Sequence, residues 1–385
     1  MNRVELRQIG TGVLLLAAAT ALVASSASLA EDKMIDTKEG TLKVDVVAEG
    51  LEFPWGLAFL PDGRMLVTEK LPGTLRIVGK DGTKSQPLKG VPEVVADDQG
   101  GLLDVALDPK FADNGLVYLA YSEPGEGGKT GTAVARGKLG TDGLENVEVI
   151  FRQTPKTDDG LHYGSRLVFA PDGKLFVTLG ERFKFAPAQD LVSTLGKVVR
   201  INSDGSVPQD NPFVGRQDTL EEIYSYGHRN PQGAAIHPET GKLWENEFGP
   251  LGGDELNIIE PGKNYGWPEV SWGKHYDGKA IPEPTTRPEF VDAIKHWTPV
   301  LSPSGMSFYT GDAIPAWKDN LLISGLSSEG IVRLTLDGDK VVDEERIKLG
   351  KRIRHVVQGP DGAVYALTDQ KKGKIVRLTL SSPRS

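Results

Sequence analysis

One short unit recurs six times along the chain, and it constrains the fold more than any other feature. Each copy is an apolar run, a tight turn and a second apolar run. The first is Gly56 to Glu69 around Pro61-Asp62-Gly63. The second joins Val105–Pro109 to Asn114–Tyr121, and the third is Leu167 to Thr178 around Pro171-Asp172-Gly173. The fourth runs from Ala234 to Trp244. The fifth is degenerate, Met306–Thr310 with Asn320–Gly325, and the sixth is Val356 to Leu367 around Pro360-Asp361-Gly362. Proline presets φ, aspartate bonds the backbone ahead of it, and glycine takes the positive φ. Apolar and polar side chains alternate across the turn, as in an antiparallel hairpin. A period of roughly 50–70 residues has room for four short strands. One such sheet cannot bury both faces, whereas six stacked radially bury one another. The expected fold is all-β: a six-bladed β-propeller of four-stranded antiparallel blades. The wider gaps between copies three, four and five are expected to be loops on one rim, where function usually sits.

The 385 residues include 46 Gly and 25 Pro, which suits a turn-dense β protein. A net charge of −9 argues against nucleic-acid partners. With no cysteine, thiolate nucleophiles and Cys-ligated metal sites are excluded.

The first 30 residues read as a secretory signal. Arg3 and Arg7, partly offset by Glu5, precede an uncharged run from Gly10 to Ala24, and Ser28-x-Ala30 marks a cut after Ala30. Residues 31–385 are then one domain with no stable membrane insertion, periplasmic or secreted. Glu123 to Thr130 is similar to a phosphate loop but lacks its first glycine and a following helix, and it reads as a mobile strand connection. Lys371 to Lys374 reads as a solvated turn.

Catalysis must then use His, carboxylates, Lys, Tyr or an external cofactor. No two of the six histidines have the i, i+4 spacing of a helical zinc site. His162 stands out, in Gly160-Leu-His-Tyr-Gly-Ser-Arg166, at the entry to an apolar strand. Tyr224 to Gly233 places Arg229 and Asn230 among glycines. Glu247 to Asn257 combines kinked Gly249-Pro250 with acidic side chains, which fits either all-oxygen calcium ligation or ordinary acidic turns. Asn264-Tyr-Gly-Trp-Pro268 is a rigid aromatic corner. Arg352 and Arg354 alternate, so both face one side of a strand, suiting a multiply charged anion or a solvated edge.

Taken in order, these motifs resemble the soluble quinoprotein sugar dehydrogenases, which use pyrroloquinoline quinone (PQQ). The resemblance covers roughly residues 45–380. It includes Phe53 to Gly63, Gln99-Gly-Gly-Leu-Leu103, Gly164-Ser-Arg-Leu-Val168 after His162, Leu195 to Arg200, Tyr226 to Gly233, Gly249-Pro250 with Asp254-Glu255, Asn264 to Pro268, and Arg352-x-Arg354. It implies a six-bladed propeller that oxidises aldoses at C1, with His162 as general base. It places Arg229 and Asn230 on the quinone, Arg352 and Arg354 on its carboxylates, and Gln99 and Glu181 near the sugar. The Gly249 and Pro250 carbonyls match ligands of the calcium that binds PQQ. Glu255 and the Tyr265 carbonyl match a second, structural calcium site. The partners implied are an aldose and a quinone or cytochrome electron acceptor.

Departures accompany the resemblance. Ser327 stands where the family has a lysine, Leu161 where the glucose branch has an acid, and Glu181 where it has Asp. The chain is closer to the broad-specificity aldose branch. Two other readings are a calcium-dependent lactonase-type propeller hydrolase and a non-catalytic propeller that binds sugar or protein.

Overall fold

The computed structural model describes residues 33–281 and 285–384. The signal-peptide reading of residues 1–30 lies outside them. Six antiparallel sheets follow one another along the chain. Blade 1 holds β3 (Pro54–Phe59), β4 (Met65–Glu69) and β5 (Thr74–Val78). Blade 2 holds β6 (Leu102–Leu107), β7 (Leu116–Pro124), β8 (Thr130–Leu139) and β9 (Leu144–Arg152). Blade 3 holds β10 (Gly164–Phe169), β11 (Leu175–Leu179), β12 (Lys197–Ile201) and β13 (Ile223–Tyr226). Blade 4 holds β14 (Pro231–Ile236), β15 (Leu243–Glu247), β16 (Asp254–Ile259) and β17 (Lys295–Trp297). Blade 5 holds β18 (Pro303–Phe308), β19 (Leu321–Gly325), β20 (Gly330–Asp337) and β21 (Lys340–Lys348). Blade 6 joins β22 (Ile353–Gln358), β23 (Val364–Thr368) and β24 (Gly373–Pro383) to the amino-terminal β2 (Gly40–Leu51) and β1 (Lys33–Thr37). Pairing of Leu42 with Leu380 and Val44 with Leu378 closes the ring.

The first strands of successive blades touch and circle the axis, β22 meeting β3. All six sequence repeats are the first and second strands of blades. The three Pro-Asp-Gly turns behave alike. Gly63, Gly173 and Gly362 have φ of 84°, 79° and 76°. Asp62, Asp172 and Asp361 accept from the N–H two residues on, at 2.9, 3.0 and 3.1 Å. Adding a Cβ at such φ would strain the turn.

The alternation within the repeats has a different meaning from the one expected. Every residue of β4, β11, β15 and β19 is buried. Odd and even residues face different neighbouring blades rather than core and solvent. Leu66 packs with Leu102 and Leu119 of blade 2, while Val67 packs with Leu367 and Ile375 of blade 6. Leu322 and Leu321 divide likewise between blades 6 and 4. Six apolar clusters thus fill the six blade junctions.

The long connections also depart from expectation, because they do not share one rim. In an antiparallel meander successive connections alternate ends. Residues 180–196 and 248–253 therefore sit on the rim of the inner-strand starts. Residues 202–222 lie at the opposite end, where Arg200 bonds both Asp210 and the turn residue Asp172. Residues 260–281 leave that far end and climb back, Leu251 pairing with Lys274. Glu123 to Thr130 holds the end of β7, the hairpin connection 125–129 and the start of β8, and Lys371–Lys372 opens the turn into β24.

Candidate active site

All six inner strands shift register near their first residues, at Pro54/Leu57, Leu102/Val105, Gly164/Leu167, Pro231/Gly233, Pro303/Met306 and Ile353/His355. Such bulges re-aim side chains. Here they turn the rim ends toward the axis, around a basin of about 320 Å³. Gln99, His162, Arg229, Asn230, Arg352 and Arg354 line it together, beside Trp55, Lys70, Gln232, Tyr276 and Asp369.

His162 is buried and has φ of 50°. Its backbone N–H donates to Gln99 Oε1 at 2.9 Å, and Nδ1 lies 2.6 Å from Glu181 Oε1. A carboxylate only accepts, so Nδ1 carries the proton and Nε2 is left as a base. Glu181 Oε2 accepts from the Phe185 N–H at 2.8 Å, and Phe183 packs edge-on to the imidazole. Burial pushes the His162 pKa down; Glu181 partly opposes this and Arg229 adds to it. The imidazole is therefore neutral at neutral pH. Glu181 is fully buried against the Nδ1 side of the imidazole and is not among the residues that line the basin.

Arg229 and Asn230 enter β14. Their N–H groups both reach Glu247 Oε2, at 2.5 and 3.3 Å. The Arg229 guanidinium donates to the Phe248 and Gly249 carbonyls, both at 3.0 Å, and to Tyr276 Oη at 3.2 Å. It lies 5.2 Å from the Trp267 ring. Asp254 holds the Gly249-Pro250 turn, accepting from Gly249 N–H at 2.9 Å and from Leu301 and Ser302 N–H at 2.7 Å each. Burial pushes the Asp254 carboxyl up to about 6 despite those bonds.

Across the basin, Arg352 and Arg354 converge on Asp369 Oδ2, at 3.1 and 3.2 Å. Although burial raises the Asp369 pKa, Arg354, Arg352 and Lys70 hold it below the ordinary value. Arg354 also donates to Gln232 Oε1 at 2.6 Å. Ser327 Oγ bonds Ser302 Oγ.

Behind Gly249 a crevice is lined by Glu247, Glu255 and Tyr265. Glu255 sits opposite Glu247, and Glu245 opposite Asn257, across β15 and β16. His228, stacked on Tyr265, brings a ligand atom within 4.8 Å of those of Glu245 and Glu247. Burial, then the Glu247 charge, pushes the Glu245 and Glu255 carboxyls well up. Among the other histidines, His355 is buried and its pKa is pushed well down by burial and Arg166.

Sequence reasoning missed Asp369, Trp55, Lys70 and Tyr276, and it did not single out Glu247 within its acidic segment. A signal for two of them was present. The second strand of five repeats ends on or near an acid at the rim: Glu69, Glu123, Glu181, Glu247 and Asp369.

The chain matches the glucose/sorbosone dehydrogenase family over residues 51–377. It belongs to that family. It is 44% identical to the aldose sugar dehydrogenase YliI of Escherichia coli over 353 residues, spanning 90% of this chain and 94% of that one. It is 31% identical to quinoprotein glucose dehydrogenase B of Acinetobacter calcoaceticus, over 88% of this chain and 89% of that protein. Among solved structures it is similar to the PQQ-bound aldose sugar dehydrogenase of Streptomyces coelicolor, with a TM-score of 0.75, 30% identity, and 90% and 99% of the two chains covered.

Proposed function

We propose that this family member oxidises aldoses at C1, using PQQ and calcium, in the periplasm or outside the cell. The observation that carries the reading is the convergence of the His162 imidazole with Arg229, Asn230, Arg352 and Arg354, from three different blades, on one basin.

The donor set fits the cofactor. Arg229 Nε and Arg354 Nε are buried without hydrogen-bond partners, so a ligand rich in carbonyl and carboxylate acceptors would complete them. The oxygen set fits calcium as well. Gly249 and Pro250 would offer backbone carbonyls beside the basin, and Glu255 with the Tyr265 carbonyl would hold a second ion in the crevice. The crowding of Glu245, Glu247 and Glu255 supports a cation there.

When bound, PQQ supplies a quinone that accepts a hydride from an anomeric carbon, and calcium supplies positive charge beside its oxygens. His162 Nε2 takes the C1 hydroxyl proton, so the sugar loses one proton and one hydride and leaves as a lactone. Glu181 holds the imidazole in the tautomer that can accept. Gln99 fixes the His162 backbone and presents its amide to the sugar. Arg229 stabilises negative charge on the acceptor side. The partner that would take up the electrons is an external quinone or cytochrome.

The test is reconstitution of the purified apo-protein with PQQ and calcium, followed by aldose-dependent dye reduction. Activity requiring both additions, and falling about 10²–10⁴-fold in His162→Ala, supports the reading. Aldose oxidation indifferent to chelation and to that substitution would end it.

A further inference from the structure

Four cations line the basin, Lys70, Arg229, Arg352 and Arg354, against two carboxylates, Asp98 and Asp369. Arg352 and Arg354 pair with Asp369, and Arg229 donates to three oxygens. Lys70 is less fully engaged. It follows the last residue of β4, and its backbone is pinned across the junction of blades 1 and 2. Its N–H donates to the Phe53 carbonyl and its carbonyl accepts from the Leu102 N–H, both at 3.1 Å. Its Nζ donates to a single backbone carbonyl, that of Asp98, at 3.0 Å, and forms no ion pair among the described residues. An ammonium has three N–H donors, so this one enters the basin with donors to spare. Burial lowers the Lys70 pKa to about 8, with Arg354 adding to the fall and Asp369 and Asp98 opposing it. A half-buried cation without a carboxylate in contact has charge and donors that an anionic ligand in the basin would meet. Blade 5 offers no such cation: its lining residue is Leu326, and neighbouring Ser327 bonds Ser302.

We infer that the Lys70 ammonium pairs with a carboxylate of the quinone cofactor, supplying from blade 1 the cation that blade 5 lacks at Ser327. This rests on the PQQ reading above. PQQ carries three carboxylates. Arg352 and Arg354 share their charge with Asp369, so two guanidiniums provide little more than one uncompensated positive charge on that side. Lys70 adds another within the same wall, and its position faces Arg352, Arg354 and Asp369 of blade 6 and Asp98 of the blade 1–2 connection.

The experiment titrates PQQ into the calcium-loaded full-length apo-protein, following tryptophan quenching. Lys70→Met and Lys70→Gln are expected to raise Kd about 10- to 100-fold, the scale of a lost charge-assisted bond. Lys70→Arg should stay within a few-fold of the parent. Wild-type affinity should be full below pH 8 and decline above it, as free Lys70 loses its proton while the bound form keeps it. Lys70→Met should lack that alkaline decline. Melting of the apo forms checks folding, and removing an uncompensated cation should leave the melting temperature unchanged or higher. If wild type binds PQQ and both neutral variants match its Kd and pH profile, the inference fails while the cofactor reading stands. If folded wild type takes up no PQQ, both fall.

Discussion

Replacing Glu181 by glutamine changes one charge in a fully buried contact 2.6 Å from the imidazole, without altering the basin lining. In the parent, the carboxylate can only accept, so the Nδ1–H tautomer is enforced. A glutamine amide can donate or accept and enforces neither tautomer. A hydrogen bond to a charged partner contributes about 1.5–3 kcal/mol and a neutral one about 0.5–1.5. The difference, about 1–2 kcal/mol, corresponds to roughly 5- to 30-fold in rate when the bond strengthens as His162 takes its proton. Glu181→Gln should therefore lower kcat/KM for aldose by that factor in the PQQ- and calcium-loaded enzyme. The pH profile gives an independent readout. His162 acts as a base only when neutral, so activity falls as pH drops through its pKa. Burial has already moved that pKa below the ordinary histidine value, and Glu181 is what raises it. The variant should place the acid limb lower still, while PQQ Kd stays unchanged. Dye-reduction kinetics from pH 4 to 9, with Kd measured alongside, test this. Equal kcat/KM and an unmoved acid limb would refute the positioning role.

Arg354 is buried whereas Arg352 has half its side chain in solvent. Arg354→Met should weaken PQQ binding by about 10²-fold or more and Arg352→Met by about 10-fold, measured by titration, because solvent screens the exposed cation. Glu245→Gln removes the most buried of three crowded carboxylates and should raise the melting temperature of the calcium-free protein by several degrees, for about 1–3 kcal/mol. That gain should be small near pH 4, where the carboxyl is protonated in both states. It should grow as pH rises from the ordinary carboxyl value toward the raised folded one, and shrink when calcium is added. Trp244→Ala empties a fully buried site between blades 4 and 5 and should cost about 3–5 kcal/mol, read by chemical denaturation with unaltered PQQ affinity at low temperature.

Much of this architecture was legible locally. The Pro-Asp-Gly turns depend on residues in contact along the chain, so their bonds and positive φ follow from the sequence. Six hairpins at near-even spacing led to six blades by the same short-range logic. His162, Arg229, Arg352 and Arg354 were recognisable through ordered motifs. The acids behind them were harder to see. Asp369 and Glu247 look like strand ends in a list of residues, and their meaning emerges only when all the rim ends are compared. Lys70 had no distinguishing neighbours at all.

Hairpin geometry and turn chemistry were settled by the order of residues, since these are matters of φ, side-chain bonding and periodicity over a few positions. Which apolar face meets which blade, and which charges share a basin, was decided by closure. When β2 pairs with β24, residues over 300 positions apart become neighbours. Lys70 then stands beside Arg354, and bulges on six strands turn separate side chains toward one axis. Electrostatic energy depends on those through-space distances, which no local pattern encodes.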